Sequence, residues 1–379
     1  MSAHHDEPFD VVVVGASQAG LAVAYYLREH GLRFVLLDAE PGIGCVWQSR
    51  WDSLTLFTPA QYSGLPGKGF PAARDVYPSK DDVVAYLRSY AAAFDLPVRL
   101  NARVTSLTGG EDGYRVATDD EVFRASQVVV AAGPFQAPFV PGIARSLDDS
   151  VTQMHSAQYR RPAQLPQGPV LVVGGGNSGF QIAEELVETR KVDLAIGTRM
   201  PALPQRLMGR DLFWWLSHLG VMSVSVESRL GRRMAERDVL IGSSRRRLRR
   251  AGVTIRKRLE SLAGRRAFFA DGSRLDVETV VWATGYRSDY AWIEIPGVTD
   301  GNGRVLHRRG VTAASGLFFV GLPWQHTRGS ALLGFVRADA AFIAGTITVS
   351  TREGAGLAPT NIQTTPSISN GSTLAARMP

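Results

Sequence analysis

Cysteine is almost missing from this sequence: Cys45 is the only one among 379 residues. A lone thiol forms no internal disulfide, and it excludes a redox-active cysteine pair and the dithiol relay such a pair would run. Lysine is nearly as scarce. It stands at positions 68, 80, 191 and 257 only, so arginine carries most of the 42 cationic side chains behind the net charge of +7. The 7 histidines are scattered without metal-ligand spacing, and His4-His5 is a terminal pair, so no metal site is expected. Residues 1–8 lack a basic stretch followed by an apolar one, which points to a cytoplasmic protein. Long apolar runs are interrupted as well. Gly15, Ser17, Gln18 and Gly20 break 9–27, and Arg337 and Asp339 break 331–349, so neither is expected to span a bilayer.

The arginines concentrate between 229 and 258, including the run Arg245-Arg246-Arg247-Leu248-Arg249-Arg250. No aromatic residues interleave with that run and no nucleic-acid motif accompanies it, so no nucleic-acid partner is expected. A solvated helix face, which could add a positive field near an anionic nucleotide, accounts for it better.

What is present is the composition of a globular chain, 45% apolar and 20% charged, with length for two domains that each bury a core. The β-branched run Phe9–Val14 predicts a fully buried parallel strand, Gln18–Glu29 a helix closed by Gly31, and 34–38 a second strand. Residues 81–93 read as a helix, 98–124 as short antiparallel strands, and 127–131 as another buried strand. After a proline-rich stretch over 134–169 the opening pattern restarts. Residues 169–173 predict a strand, 174–179 a glycine turn, 180–189 a helix and 193–197 a strand. Helices are expected at 212–219 and Arg245–Ala251, a strand at 317–320 and a long helix at 330–349. The aromatic-free tail from 351 to 379 is expected to be disordered.

A glycine fingerprint gains weight from its position between strand and helix, and here it occurs twice. In the first copy, Gly15 allows the tight turn, Gly20 lets helix and strand pack closely, and Ser17, Gln18 and Ala19 lie between them. A pyrophosphate would sit on the helix N-terminus, and Asp38, ending the second strand, would accept hydrogen bonds from a ribose. Ser17 stands where the middle glycine belongs. The second copy, Gly174, Gly175, Gly176, Asn177, Ser178 and Gly179, has every glycine, and its second strand ends in Thr198-Arg199. Arg199 suits a 2′-phosphate where an acid suits the free hydroxyl, so the first turn should bind FAD and the second NADPH. Arg199 could instead be one more surface arginine in an arginine-rich chain.

Further segments resemble the flavin-containing monooxygenases, over about 9–346. Residues 42–47, with Gly44 and Trp47, followed by 50–54, look like that family's flavin-contacting loop, continued by 56–59 with Thr58 and by 77–79. His155, Ser156 and Tyr159 resemble the end of the family signature, and Ala283-Thr284-Gly285-Tyr286 resembles the segment crossing back into the flavin domain. Residues 321–330, with Gln325, His326 and Arg328, resemble the segment that closes over the flavin ring. The pattern also departs from the family. Asp149 and Val151 replace the signature's Phe and Gly, Ala131-Ala132-Gly133 replaces Ala-Thr-Gly, and Phe57 or Thr58 stands where animal-type enzymes carry a catalytic amide.

The resemblance implies an α/β fold of two Rossmann-like domains, with an NADPH domain (165–284) inserted into an FAD domain (1–160 and 285–350). It implies a monooxygenase in which NADPH reduces the flavin, O2 adds at flavin C4a as a (hydro)peroxide, and one oxygen goes to a small organic substrate. His326 and Arg328 are the candidate catalytic residues. His326 would hydrogen-bond the flavin or its oxygen adduct, or only fix the loop, and Arg328 would hold NADP or the flavin pyrophosphate, or pair with an acid. Trp47 and Trp324 would wall the cavity, and Thr284, Gly285 and Gln325 would lie along the flavin. The alternative reading is an NADPH-dependent flavin dehydrogenase or oxidase that reduces quinones or O2 without oxygenating a substrate. A homodimer is the base-rate expectation.

Overall fold

The computed structural model describes residues 7–198, 200–236 and 239–354, the last four of them by backbone alone. Two parallel sheets organise the chain, and each is built by the same rule. In the first, strand Phe9–Val14 lies between Phe34–Leu37 and Val122–Val130, parallel to both. Side chains alternate across a strand, so Val11 and Val13 enter one core and Val12 and Val14 another. The first core is completed by helix Gln18–Glu29 and by Ala340, Ile343, Ala344 and Ile347 of the last helix. The second is covered by the meander Val104–Gly110, Gly113–Thr118 and Val122–Val130 with Tyr290 and Ile293. The second sheet repeats the scheme. Val170 and Val172 face helix Asn177–Leu186, while Leu171 and Val173 face the antiparallel strands Leu259–Ala263, Arg266–Phe269 and Arg274–Asp276. Each fully buried Val or Leu contributes roughly 1.5–3 kcal/mol, which is why valine-rich strands sit centrally in both sheets.

The fold class inferred from the sequence is the one observed, two Rossmann-like units with the second set into the first. The connections between them are hydrogen-bonded to each other: outgoing Ala137–Pro138 pairs antiparallel with returning Tyr286–Arg287. Several boundaries differ from expectation. Thr152–His155 forms the edge of the second sheet beside Thr279–Trp282, although the sequence ran the first unit to 160; the surrounding prolines hide so short a strand. Val98–Arg99 is a parallel edge strand beside Phe34–Leu37, not part of the antiparallel set. The last helix is Arg337–Gly354. It starts later than 330 because a methyl on Gly334 would come within 2.2 Å of the Tyr62 carbonyl oxygen, a close approach reached by irregular backbone. Its backbone runs four residues into the expected tail, and 355–379 lie outside the described residues. Among those described, no helix is long and apolar enough to cross a membrane.

The two strand–turn–helix corners are sterically locked. A Cβ on Gly20 would lie 1.9 Å from the Gly15 carbonyl oxygen, and one on Gly179 would lie 2.1 Å from that of Gly174. Gly20→Ala and Gly179→Ala should each lower the unfolding free energy by more than about 2 kcal/mol. Gly69→Ala, which meets nothing within 4 Å, should stay within about 0.5 kcal/mol. Urea titration of the variants checks this, and equal midpoints for all three would refute the steric account.

Candidate nucleotide sites and the cleft between them

Among the described residues, four helices begin under a side-chain cap. Ser79, Asp211, Ser228 and Ser244 each accept a hydrogen bond from an amide in the first turn that follows. The helices after the two glycine turns have none: Ser17 and Gly176 occupy their N-cap positions, and neither makes a capping bond. First-turn amides have no intrahelical acceptor, so these ends present donors and the positive end of a helix dipole. The turns hold them against the strand ends. Gly15 N donates to Leu37 O (2.7 Å) and Gly174 N to Ala195 O (3.0 Å). Nothing lies within 4 Å of where a Cβ on Gly176 would stand, so packing does not require that glycine. The open helix start fits phosphate groups at both turns, with Ser17 at the first where Gly176 stands at the second.

Around the first turn the sequence-predicted residues converge. Asp38 Oδ2 accepts from Ala16 N (2.7 Å) and Oδ1 from Glu40 N (2.9 Å), pinning the carboxylate beside the turn. Gln18 Oε1 accepts from Ser17 Oγ (2.7 Å) and from Trp47 Nε1 (3.2 Å), which ties the loop opened by Gly44 to the helix start. A Cβ on Gly321 would lie 2.7 Å from Ala19 Cβ, so the 321–330 loop passes directly over the same helix turn. Within that loop Gln325 is turned inward: its Nε2 donates to Phe319 O (2.9 Å) and its Oε1 accepts from Leu322 N (3.3 Å). Its side chain builds the loop, leaving only its backbone to meet a ligand. Trp324 takes a positive φ of 55°, a strained choice for a bulky residue. Thr58 is buried and bonded to Ser63 Oγ (3.1 Å).

His326 and Arg328 are half-buried where the units meet. Val226 N of the second unit donates to the His326 carbonyl (2.7 Å), and Ser225 Oγ lies 3.4 Å from His326 Nδ1. The same seam holds residues that sequence reasoning missed. Gln205 Nε2 donates to Phe57 O (2.8 Å), Tyr77 OH donates to Asp211 Oδ2 (2.6 Å), and Phe213 stacks on Phe57 at 5.8 Å. Asp211 carries two duties, since its Oδ1 also caps the helix Leu212–His218. The one signal available was an acid directly before an aromatic-rich helix.

At the second turn, Asn177 Oδ1 accepts from Ile241 N (3.1 Å), Ser178 is half-buried and Thr198 is exposed. Arg199 lies outside the described residues. Thr284 donates through its hydroxyl to the Phe139 carbonyl, clasping the two crossing strands. The Gly285 carbonyl accepts from Phe139 N (2.9 Å) and from His155 Nε2 (3.0 Å). His155 Nδ1 accepts from Ala157 N (3.0 Å), so the ring is the neutral Nε2–H tautomer. Burial holds its pKa below the ordinary histidine value. His155 is therefore a clasp on the crossing.

Comparison with known proteins agrees with this geometry. Residues 12–203 match the family described as pyridine nucleotide-disulphide oxidoreductase. The uncharacterized oxidoreductase CzcO-like of Geobacillus kaustophilus is 47% identical over 336 residues, covering 88% of this chain and 97% of that one. The indole-3-pyruvate monooxygenase YUCCA8 of Oryza sativa is 28% identical, covering 76% and 78%. Among solved structures, the flavin-containing monooxygenase of Stenotrophomonas maltophilia superposes with a TM-score of 0.77 at 28% identity, covering 91% of this chain and 99% of that one. The resemblance read from the motifs is thus borne out.

His155 gives a signed pH dependence. Its folded pKa is depressed, so the clasp is at full strength above the unfolded value of about 6.5 and weakens as pH falls through that value toward the folded one. His307 is depressed by burial too and contributes in the same direction. Stability should therefore drop as pH falls below about 6.5, and His155→Gln should reduce that slope without abolishing it. Identical slopes in thermal unfolding would contradict the assignment.

Proposed function

The chain belongs to the pyridine nucleotide-disulphide oxidoreductase family, and from that premise we propose an FAD- and NADPH-dependent monooxygenase acting on a small organic molecule. It is an enzyme of the flavin-dependent oxidoreductase type, with the monooxygenases as its kin. The observation that carries the reading is the pair of uncapped helix N-termini behind glycine turns, one for each dinucleotide. Cys45, the sole and unpaired thiol, argues against the disulfide chemistry in the family's name.

The first unit would hold FAD. The amides of Gln18, Ala19 and Gly20 would take its pyrophosphate and Asp38 a ribose, with Gly15 and Ser17 shaping the approach. Gly44 and Trp47 would line its edge, along with the backbone of Thr58, Thr284, Gly285 and Gln325. The second unit would hold NADPH at Gly174, Gly176, Asn177, Ser178 and Gly179, with Thr198 and Arg199 toward the 2′-phosphate. In domain terms, 165–284 together with Thr152–His155 serves NADPH, and the remainder up to 350 serves FAD. When bound, the flavin supplies hydride acceptance from the nicotinamide and activation of dioxygen. The overall change balances as substrate, O2, NADPH and a proton giving oxygenated substrate, water and NADP.

The protein's share is placement and exclusion of water. The loop over Ala19 anchors on Phe319 through Gln325 and on Val226 through His326, closing the first unit against the second. His326 is assigned a hydrogen bond to the flavin or the bound oxygen, and Arg328 a hold on the nicotinamide dinucleotide across the same seam. The aromatic seam Phe57, Phe213 and Phe335, with centroid spacings of 5.8 and 6.0 Å, keeps solvent from that face.

Coupling tests the reading. NADPH oxidation in air is followed against hydrogen peroxide release, with and without a panel of sulfides, ketones and amines. A monooxygenase yields less peroxide when a substrate is present, with oxygenated product making up the shortfall. Peroxide equimolar with NADPH throughout, or transfer to quinones, would favour the dehydrogenase or oxidase alternative.

A further inference from the structure

Between the paired strands Ala202–Leu203 and Leu240–Ile241 the chain makes an excursion that opens with a hairpin. Arg206–Leu207 pairs antiparallel with Arg210–Asp211, with Leu207 opposite Arg210. The loop is therefore two residues, Met208 and Gly209, with φ of 50° and 73°. Two successive positive φ values give the tight turn that matches strand twist, and asparagine followed by glycine is its ordinary occupant. Methionine is a strained choice there. Packing does not offset the strain, because Met208 is 84% exposed. A residue that strains its turn and buries nothing points to a contact beyond this chain.

The neighbours of that tip share its character. Leu207 is 47% exposed and Leu219 is 71% exposed. Trp214 and Trp215, on the helix Leu212–His218 that follows, are half-buried and meet edge to face at 4.8 Å. Trp215 Nε1 donates to Leu207 O (3.0 Å), which fixes that helix beside the hairpin. Two guanidinium groups flank the tip. Arg206 donates to the Gly209 carbonyl (2.9 Å), and Arg210 lies 5.3 Å from the Trp214 ring centroid. Both are exposed, and neither forms an ion pair among the described residues. Residues 206–236 carry five arginines and three acids. Of those acids, Asp211 is buried at the helix cap and Glu227 pairs with Arg308.

We propose that this hairpin seats the protein on an anionic lipid surface. Met208 and Leu207 enter the bilayer interface with Trp214 and Trp215 beside them, and Arg206 and Arg210 meet the headgroup phosphates. Long guanidinium side chains keep their charge at the headgroups while their stems lie against apolar surface. Shape selects lipid over protein. A protein partner would need a pocket matched to a projecting two-residue tip, whereas lipid yields to it. A second copy of this chain would set arginine against arginine across a two-fold axis. The attachment is peripheral and needs no spanning segment. Tyr77 OH donates to Asp211 Oδ2 (2.6 Å) at the base of the hairpin, which fixes the seat relative to the first unit.

Co-sedimentation of the full chain with phosphatidylcholine vesicles, with and without phosphatidylglycerol, tests the proposal. Binding should require the anionic lipid and fall as salt rises. Met208→Asn puts the preferred residue at the positive φ, so its thermal midpoint should hold or rise. Its affinity for the mixed vesicles should nevertheless drop at least about five-fold. Arg206→Gln/Arg210→Gln should lower that affinity at least about ten-fold. Arg249→Gln/Arg250→Gln removes the same charge from another exposed helix and should stay within about two-fold of wild type. Absence of sedimentation with the mixed vesicles, or unchanged affinity in Met208→Asn, overturns the proposal. Equal loss in the two arginine pairs also overturns it, because net charge alone would then account for binding. A dimer that Met208→Asn disperses would give the face to a second copy and overturn it too.

Discussion

Among the described helices, the two that follow the glycine turns start with no side chain to cap them. An N-cap side chain is worth about 1 kcal/mol, and this sequence places one at four other helix starts. It withholds one after each glycine turn, where Ser17 and Gly176 make no capping bond. The locked corners at Gly15–Gly20 and Gly174–Gly179 then aim those open amides past the strand ends. A helix end left in this state is completed by an anion. The rest of the molecule can be understood as what is needed to keep two such ends in one cleft.

That task falls to three sets of contacts. The crossing strands Ala137–Pro138 and Tyr286–Arg287 pair with each other and are clasped by Thr284 and His155. Further out, Gln205, Asp211 and Phe213 of the second unit grip Phe57 and Tyr77 of the first. The 321–330 loop closes the third side, running over Ala19 and bonding to Val226. Arg50 reinforces the crossing: its Nη1 donates to Tyr286 OH (2.6 Å), and its guanidinium lies 5.3 Å from the Phe135 ring centroid. These contacts are mostly neutral hydrogen bonds and ring contacts. The inter-unit geometry should accordingly depend little on ionic strength.

Much of this was legible in the sequence because period and punctuation carry it. The valine run Phe9–Val14, the helix Gln18–Glu29 and the helix Arg245–Ala251 were read at their observed bounds. Duplication of the glycine turn, Asp38 beside the first and the Trp47 loop were legible too, since each is a local pattern. What stayed hidden is made by distant contacts. Nothing in its own segment marks Thr152–His155 as a strand, because its partner is Thr279–Trp282, far along the chain. Gln325 looked like a cofactor contact, but its neighbours in space, Phe319 and Leu322, consume its amide.

On the proposed function, one chain would bring a nicotinamide held by its second unit against a flavin held by its first. Anaerobic rapid mixing of the flavin-loaded protein with stoichiometric NADPH tests this most directly, because oxygen chemistry is removed and only hydride transfer is read. Complete loss of the oxidised flavin's visible absorbance in a single fast phase is expected, with NADH far slower at equal concentration. A flavin that stays oxidised under NADPH yet is reduced by dithionite would contradict it.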